Sequence, residues 1–503
     1  MKKICILLSL LMLVSSFTLS ACSESDVNSE ETLPQETIHS ESSSSSETEE
    51  ESNQTAAMVK EMFAGKNFDG YEYRVLAPGN DQHFYRSVAA GLNEVYAEEM
   101  NGVLINDAIF TRNAQAQDFL NIKISPVWND AGDDGIHSQL NKEVLAGVTA
   151  YDTVLNRMDF MGSSMLNGDL LNLNSISTLN PSNPWWDKNI VDTFTVFDSL
   201  YFISGDINIF DDFAVEVIFF NKQLCDNNGL EYPYSDVIEG KWTIEKFYEM
   251  AKTVERDLNG DGNLISNEDI IGHTEENDHV KHWIYAMGEK SISINENSEP
   301  VVNISNERHI TAVDTIFDYM VNRKMTSTSA PSGGFTTGHI LFHGTMLGVI
   351  NNNGFREMEQ PFGVVPMPKM NEEQENYGNY VSNGWTTAYG IPMTNIGKID
   401  TIGTIMEVIC GFSTDTLRSA LYDTLFAAKL VRDTESVEML DIIFSTKAYD
   451  WAVDFEWGSR FNDLYNELYS TGVNTFSSNV ASSIKAIDRI INKYFEIIEL
   501  LEY

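Results

Sequence analysis

Three short apolar runs, YEYRVLA (71–77), NIKISPVW (121–128) and YDTVLNRM (151–158), are separated by stretches whose apolar residues recur at helical spacing. Leu104, Ile105, Ala108, Ile109, Ala116 and Phe119 repeat every few residues between the first two runs, and a helix is expected near 137–147 before the third. Two neighbouring parallel strands need a long crossover, which a helix supplies, so this alternation points to an α/β lobe built on parallel pairing. In such sheets ligands sit beyond the carboxyl ends of the strands. Here those ends are the loops at 78–86 and 156–163.

Residues 66–503 exceed the size at which one core keeps growing, so two lobes are expected. A second block opens with AVEVIFFNKQL (214–224), a long apolar strand running into a helix. Strand and turn signals follow in FHGTMLGVINNNG (342–354) and FGVVPMPK (362–369), and GWTTAYGIP (384–392) starts another extended segment. The last third reads as helical. It ends with Ile484, Ile487, Ile491, Tyr494 and Ile498 on one face.

The chain starts with two lysines, an apolar run and Leu19-Ser20-Ala21-Cys22. That pattern marks residues 1–21 as a signal peptide, and its last four residues with Cys22 resemble a bacterial lipobox, in which the cysteine is acylated. Acyl chains on Cys22 would hold the protein to a membrane. Residues 22–65 read as a disordered acidic Ser/Glu-rich tether, with five consecutive serines at 42–46 and no Lys or Arg from 23 to 56.

The net charge of −43 repels nucleic acid and anionic headgroups, and favours a neutral or cationic ligand. Cys225 and Cys410 sit far apart in apolar helix-like contexts and are expected as buried free thiols. His273, His279 and His282 cluster without the spacing of a metal site. No nucleophile elbow, HExxH or phosphate loop occurs.

One motif does carry metal chemistry. DLNGDGNLISNE (257–268) matches the calcium-loop template: Asp257, Asn259 and Asp261 at positions 1, 3 and 5, Gly262 at the sharp turn, the backbone carbonyl of Asn263, and Glu268 as a two-pronged twelfth ligand. An Asn/Asp/Gly-rich surface turn is the bland alternative. Thr243 can cap an incoming helix carrying Ile244, Phe247, Ala251 and Val254, but Gly272 and a polar run replace the exit helix. A structural calcium that stiffens a connection is therefore the expectation, rather than a sensor.

The lipobox, the tether, YDTVLN, SGDINIFDDFAVEVIFFNKQL, KWTIEKFYEMAKTVERDLNGDG and FGVVPMPK together resemble the family 1 extracellular solute-binding proteins of ABC importers, the group that contains the maltose-binding protein. The resemblance implies a two-lobed, periplasmic-binding-protein-like (type II-like) α/β fold with an inter-lobe cleft. By position, lobe 1 would hold 66–210 and 380–432, and lobe 2 would hold 211–379 and 433–503, with hinges near 205–213 and 370–384. It further implies a monomer, lipid-anchored on the extracellular face of the cell membrane. Such a protein closes on a small solute and presents it to a permease without making or breaking a bond.

A sugar has apolar faces ringed by hydroxyls, so its site pairs aromatic platforms with carboxylates and amides. Trp283, Trp385, Trp451 and Trp457 are the candidate platforms. Asn80, Asp81 and His83 after the first strand, Asn156 and Asp159 after the third, and Asp206 with Asn208 at the first hinge are the polar candidates, each equally readable as a turn residue. Trp185 and Trp186 read as shields of lobe 1. A surface carbohydrate-active enzyme remains a rival because two carboxylates at catalytic separation are easily hidden among so many acids, and a non-transport scaffold or adhesin is another.

Overall fold

The computed structural model describes residues 45–79, 93–148, 150–265, 267–275, 279–326, 333–351, 353–427, 434–455, 464–465, 468 and 471–501. The architecture is that of the compact unit Glu49–Tyr503.

The first lobe begins with β1 (Tyr71–Pro78), β2 (Ile122–Asn129) and β3 (Thr153–Arg157). β1 lies between the other two, parallel to both, with Tyr71 opposite Ile122 and Val75 opposite Thr153. Helices Leu104–Leu120 and Gly132–Leu145 make the crossovers, the second starting five residues earlier than its periodicity suggests. Parallel pairing follows from these crossovers, as the alternation in the sequence requires.

The second lobe carries β4 (Glu216–Asn221), β5 (Ile271–Glu275), the hairpin of β6 (Ile292–Ile294) and β7 (Pro300–Val302), β8 (Ile340–Met346) and β9 (Phe362–Val365). Its main sheet has the order β5-β8-β4-β9, with β5 parallel to β8 and β4 antiparallel to both its neighbours. All six residues of β4 are buried, which explains the unbroken apolar run around Glu216. Asn221 ends the strand and caps the next helix, accepting from Leu224 N at 3.0 Å. Thr243 caps helix Ile244–Val254 through Lys246 N.

Among the described residues, three segments lie between the lobes. The first runs through Phe210–Phe213 into β4; the second contains β10 (Asn379–Tyr380) and leads to β11 (Thr387–Gly390), which completes the first sheet as β11-β3-β1-β2; the third ends in β12 (Lys447–Ala448). β10 and β12 pair in parallel, and Val215 bridges Val381, so the three segments lie side by side. Lys447 fastens them. Its Nζ lies 2.8 Å from Asp187, 2.6 Å from Asp211 and 2.9 Å from Asp212.

Two expectations are corrected. The segment 22–65 is not disordered throughout, because helix Ser45–Met62 lies within it and buries Val59, with Phe63 just beyond its end also buried and Ala56 N donating to Asp415 at 3.0 Å. Ala56, Val59 and Phe63 supply the docking face, while Met58 and Met62 stay exposed. The segment 433–503 does not belong to lobe 2 alone. Trp451 and Phe455 pack on Phe194 and Phe202, and a Cβ at Gly162 would lie 2.2 Å from the Phe455 ring. Helix Phe476–Leu500 stacks Phe476 on His309 at one end and sets Phe495 against Phe197 at the other.

Both cysteines are free and buried, as expected. Trp185 and Trp186 are buried too, and both indole N–H groups donate to Glu407, at 2.7 and 3.0 Å. Among the described residues no helix is long and apolar enough to cross a membrane.

Candidate functional site

The carboxyl ends of β1, β2 and β3 lie at one edge of the first sheet, where β11 enters with Thr387 opposite Arg157. Arg157 closes β3. Its Nε donates to Asp159 Oδ1 at 3.1 Å, its Nη2 pairs with Asp159 Oδ2, and its guanidinium sits 5.0 Å from the centre of the Phe160 ring. Nη1 of the same fork lies 3.9 Å from Asp133 Oδ2.

Asp133 stands in the first turn of helix Gly132–Leu145, directly after β2. Asn156 fixes that turn by donating to the Asp133 carbonyl at 3.0 Å. The Asp133 side chain is 7% exposed, and its Oδ1 has no hydrogen-bond partner. Burial pushes its carboxyl up to about 6; Arg157 opposes that rise, while Asp159 and Asp134 add to it.

Deeper in this lobe Glu94 is buried. It accepts from Ile209 N at 2.6 Å and Phe210 N at 3.0 Å, and from the Thr387 hydroxyl, tying the entry of β11 to the first crossing. Burial raises its pKa and these donors oppose the rise.

In the second lobe the carboxyl ends of β5 and β8 meet the start of β4, placing Glu275, Met346 and Glu216 along one edge. This is the edge that the first crossing enters. Trp283 donates to Glu275, His282 Nδ1 lies 3.7 Å from Glu216, and the rings of His282, Tyr380 and Tyr285 form one stack with centroids 5.2 and 5.0 Å apart. Tyr380 belongs to β10, so the stack joins this edge to the second crossing. The two lobes thus turn strand-end edges rich in carboxylates and aromatic rings toward the shared crossings.

The sequence candidates divide. Asn80, Asp81, His83 and Trp457 lie outside the described residues. Asp159 is on the edge, half-buried against Arg157. Asn156 is buried and positions Asp133 rather than facing a solute. Asp206 pairs with Arg418 at 2.9 Å and with Thr414, and buried Asn208 donates to Thr387 at 3.1 Å, so both brace the first crossing. Trp385 is half-buried in the turn that leads into β11, where its backbone N–H donates to Ser382 O at 2.9 Å.

Trp283 and Trp451 correct an expectation, since both are fully buried and offer no face to a ligand. Trp283 packs on Phe247, and Trp451 donates to Thr193 O at 2.6 Å. Asp133, Arg157, Glu216 and Glu275 escaped the sequence reading, and His282 was read there only as one of a histidine cluster without metal spacing. The charge of Glu216 inside AVEVIFF was the available signal.

The loop 257–268 folds on its own amides. Asp257 accepts from Gly260 N at 2.6 Å and Gly262 N at 2.8 Å, Asp261 accepts from Asn263 N at 2.7 Å, and Asn259 Nδ2 donates to Glu268 at 3.0 Å. Gly260 and Gly262 hold φ of 78° and 83°, which a side chain would strain. All the side-chain donors are hard oxygens, the kind calcium takes. Among the described residues no three His, Cys, Asp or Glu side chains converge as a metal site. Asp269, beyond the template, receives Leu258 N at 2.8 Å and Ile265 N at 2.9 Å, and these N–H groups hold its carboxyl below the usual range.

No protein-family model matches the chain and no curated protein matches its sequence. Solved structures do match. A cyclo/maltodextrin-binding protein complexed with maltotetraose aligns at 11% identity with a TM-score of 0.53, over 86% of this chain and 97% of its own. UspC of M. tuberculosis aligns at 11% identity with a TM-score of 0.54, over 83% of this chain and all of its own length. Over most of its length the chain therefore shares the two-lobed α/β fold of a maltodextrin-binding protein, the fold that its resemblance to the family 1 solute-binding proteins implies.

Proposed function

We propose that this chain is a solute-binding protein of an ABC importer that captures a mono- or oligosaccharide by closing its lobes and passes it to a membrane permease. The observation that carries this reading is the pair of strand-end edges. They bring Asp133, Arg157, Asp159 and Phe160 from one lobe, and Glu216, Glu275 and His282 from the other, toward the same three crossings. Carboxylates and guanidinium groups suit hydroxyls, and aromatic rings suit the apolar face of a pyranose. The fold shared with a protein complexed with maltotetraose supports the same solute class. Ligand contact with both lobes would stabilise the closed form, and a permease would read that form.

In this reading Cys22 carries the lipid anchor that keeps the protein on the extracellular face of the membrane. Asp257, Asn259, Asp261, the Asn263 carbonyl and Glu268 would hold a structural calcium, exchanging their amide contacts for the ion. No bond chemistry is assigned to the site.

Thermal shift of residues 49–503 against a panel of oligosaccharides tests the proposal. A rise of several degrees with one sugar at micromolar concentration is expected. No shift with any sugar, or hydrolysis of the one that binds, would overturn it.

A further inference from the structure

Asp133 has a property that the fold does not use. More than nine in ten buried polar groups in folded proteins find a hydrogen-bond partner, yet Asp133 Oδ1 is buried without one. Its position is set by other groups: β2 delivers it to the strand-end edge, Asn156 holds its carbonyl, and Arg157 Nη1 lies 3.9 Å from Oδ2. Asp159 takes two nitrogens of Arg157, so the guanidinium is held in place rather than pulled over onto Asp133. The result is an acceptor oxygen beside a guanidinium held by a second carboxylate, an arrangement that suits a single sugar hydroxyl donating to Oδ1.

We infer that Asp133 is a sugar-reading residue, its Oδ1 accepting a hydrogen bond from a ligand hydroxyl while Asn156 and Asp159 act as positioning residues for Asp133 and Arg157. The inference rests on the sugar-binding reading of the cleft. Its charged surroundings are Arg157 on β3, Asp159 on the following helix and Asp134 on its own helix. An ionised carboxylate accepts more strongly than a protonated one, and this carboxyl titrates near 6, so binding should weaken on acidification across a mild range.

The test is isothermal titration of the protein at pH 5 to 8 with maltotetraose, β-1,6-galactobiose, cellotetraose and xylotetraose. For the sugar that binds, wild type should lose roughly threefold to tenfold in affinity between pH 7 and pH 5. Asp133→Asn should bind at least about tenfold more weakly at pH 7, with affinity flat across the range. Asp134→Asn, exposed one residue away, should stay within about twofold of wild type. Equal thermal stability of Asp133→Asn and wild type at pH 7 separates lost reading from lost folding. An Asp133→Asn protein that binds as wild type, or keeps the same pH profile, overturns the inference alone. Failure of wild type to bind any of the four sugars overturns both the inference and the sugar-binding reading beneath it.

Discussion

Nζ of Lys447 lies 2.6 Å from Oδ2 of Asp211 in a site where the lysine is 7% and the aspartate 2% exposed. Asp187 and Asp212 complete a group of three carboxylates around one ammonium, and the four residues come from lobe 1, the first crossing and the third. Removing the cation would leave Asp187 and the half-buried Asp212 without their counter-charge beside buried Asp211. Lys447→Met is expected to cost about 3–5 kcal/mol at pH 7, read by urea unfolding, because an uncompensated buried charge is far more expensive than a missing pair. A cost under about 1 kcal/mol would mean that water reaches the group.

The surplus of negative charge falls on Asp211. Burial pushes its carboxyl up to about 8, against the pull of Lys447 and with the push of Asp212 and Asp187. The folded protein therefore holds a proton that the unfolded chain gives up near its ordinary value, so this group's contribution to stability declines as pH rises from about 4 to 8. Asp211→Asn, which mimics the protonated state, should flatten that part of the stability curve. An unchanged slope in the variant would place the titration elsewhere.

Glu407 is buried at the centre of four donors: Asn180 N at 2.6 Å, Asn183 Nδ2 at 2.8 Å and the indoles of Trp185 and Trp186. Glu407→Ala orphans all four. At about 1–3 kcal/mol for each unsatisfied buried group, partly relieved by water, a loss of about 3–5 kcal/mol is expected. Glu407→Gln, which keeps one acceptor oxygen, should lose less, and denaturant titration of the two variants side by side checks the order.

Calcium should raise the melting temperature if the loop 257–268 takes the ion, since a ligand that binds only the folded state stabilises it. Millimolar calcium should add a few degrees, chelator should remove them, and Asp261→Ala should abolish the response while leaving the chelated baseline in place. Identical melting in calcium and in chelator would leave the loop as a turn closed on its own amides.

Trp385 sits half-buried at the mouth of β11. If it serves as a sugar platform, Trp385→Ala should weaken binding by roughly tenfold to a hundredfold with unchanged melting of the ligand-free protein. Titration calorimetry with the bound sugar reads this directly.

The long elements were legible because each carries its own pattern. β1 through β4 sit where apolar runs lie, and Thr243 caps its helix as its position suggests. The two-residue strands β10 and β12 were not, since nothing local marks Asn379–Tyr380 or Lys447–Ala448 as extended. They exist through pairing between distant segments.

Site residues were harder for a related reason. A tryptophan's type does not say whether it covers a core or faces a cleft, and Trp283 and Trp451 turned out to be core. Starting the helix after β2 at residue 137 rather than Gly132 placed Asp133 in an unremarked loop. Helix Ser45–Met62 was hidden by its acidic first half, because its apolar half shows its purpose only when docked.

Helix Phe476–Leu500 has 25 residues, hence a length of about 37 Å, and it is fastened near both tips, to His309 by Phe476 and to Phe197 and Trp451 by Phe495. A stiff rod pinned at its ends to two bodies resists their separation along its length far more than their turning about its axis. Shortening this rod from its C-terminus would release the first body while leaving the second attached, and the aperture between the bodies would then be set by the three crossings alone.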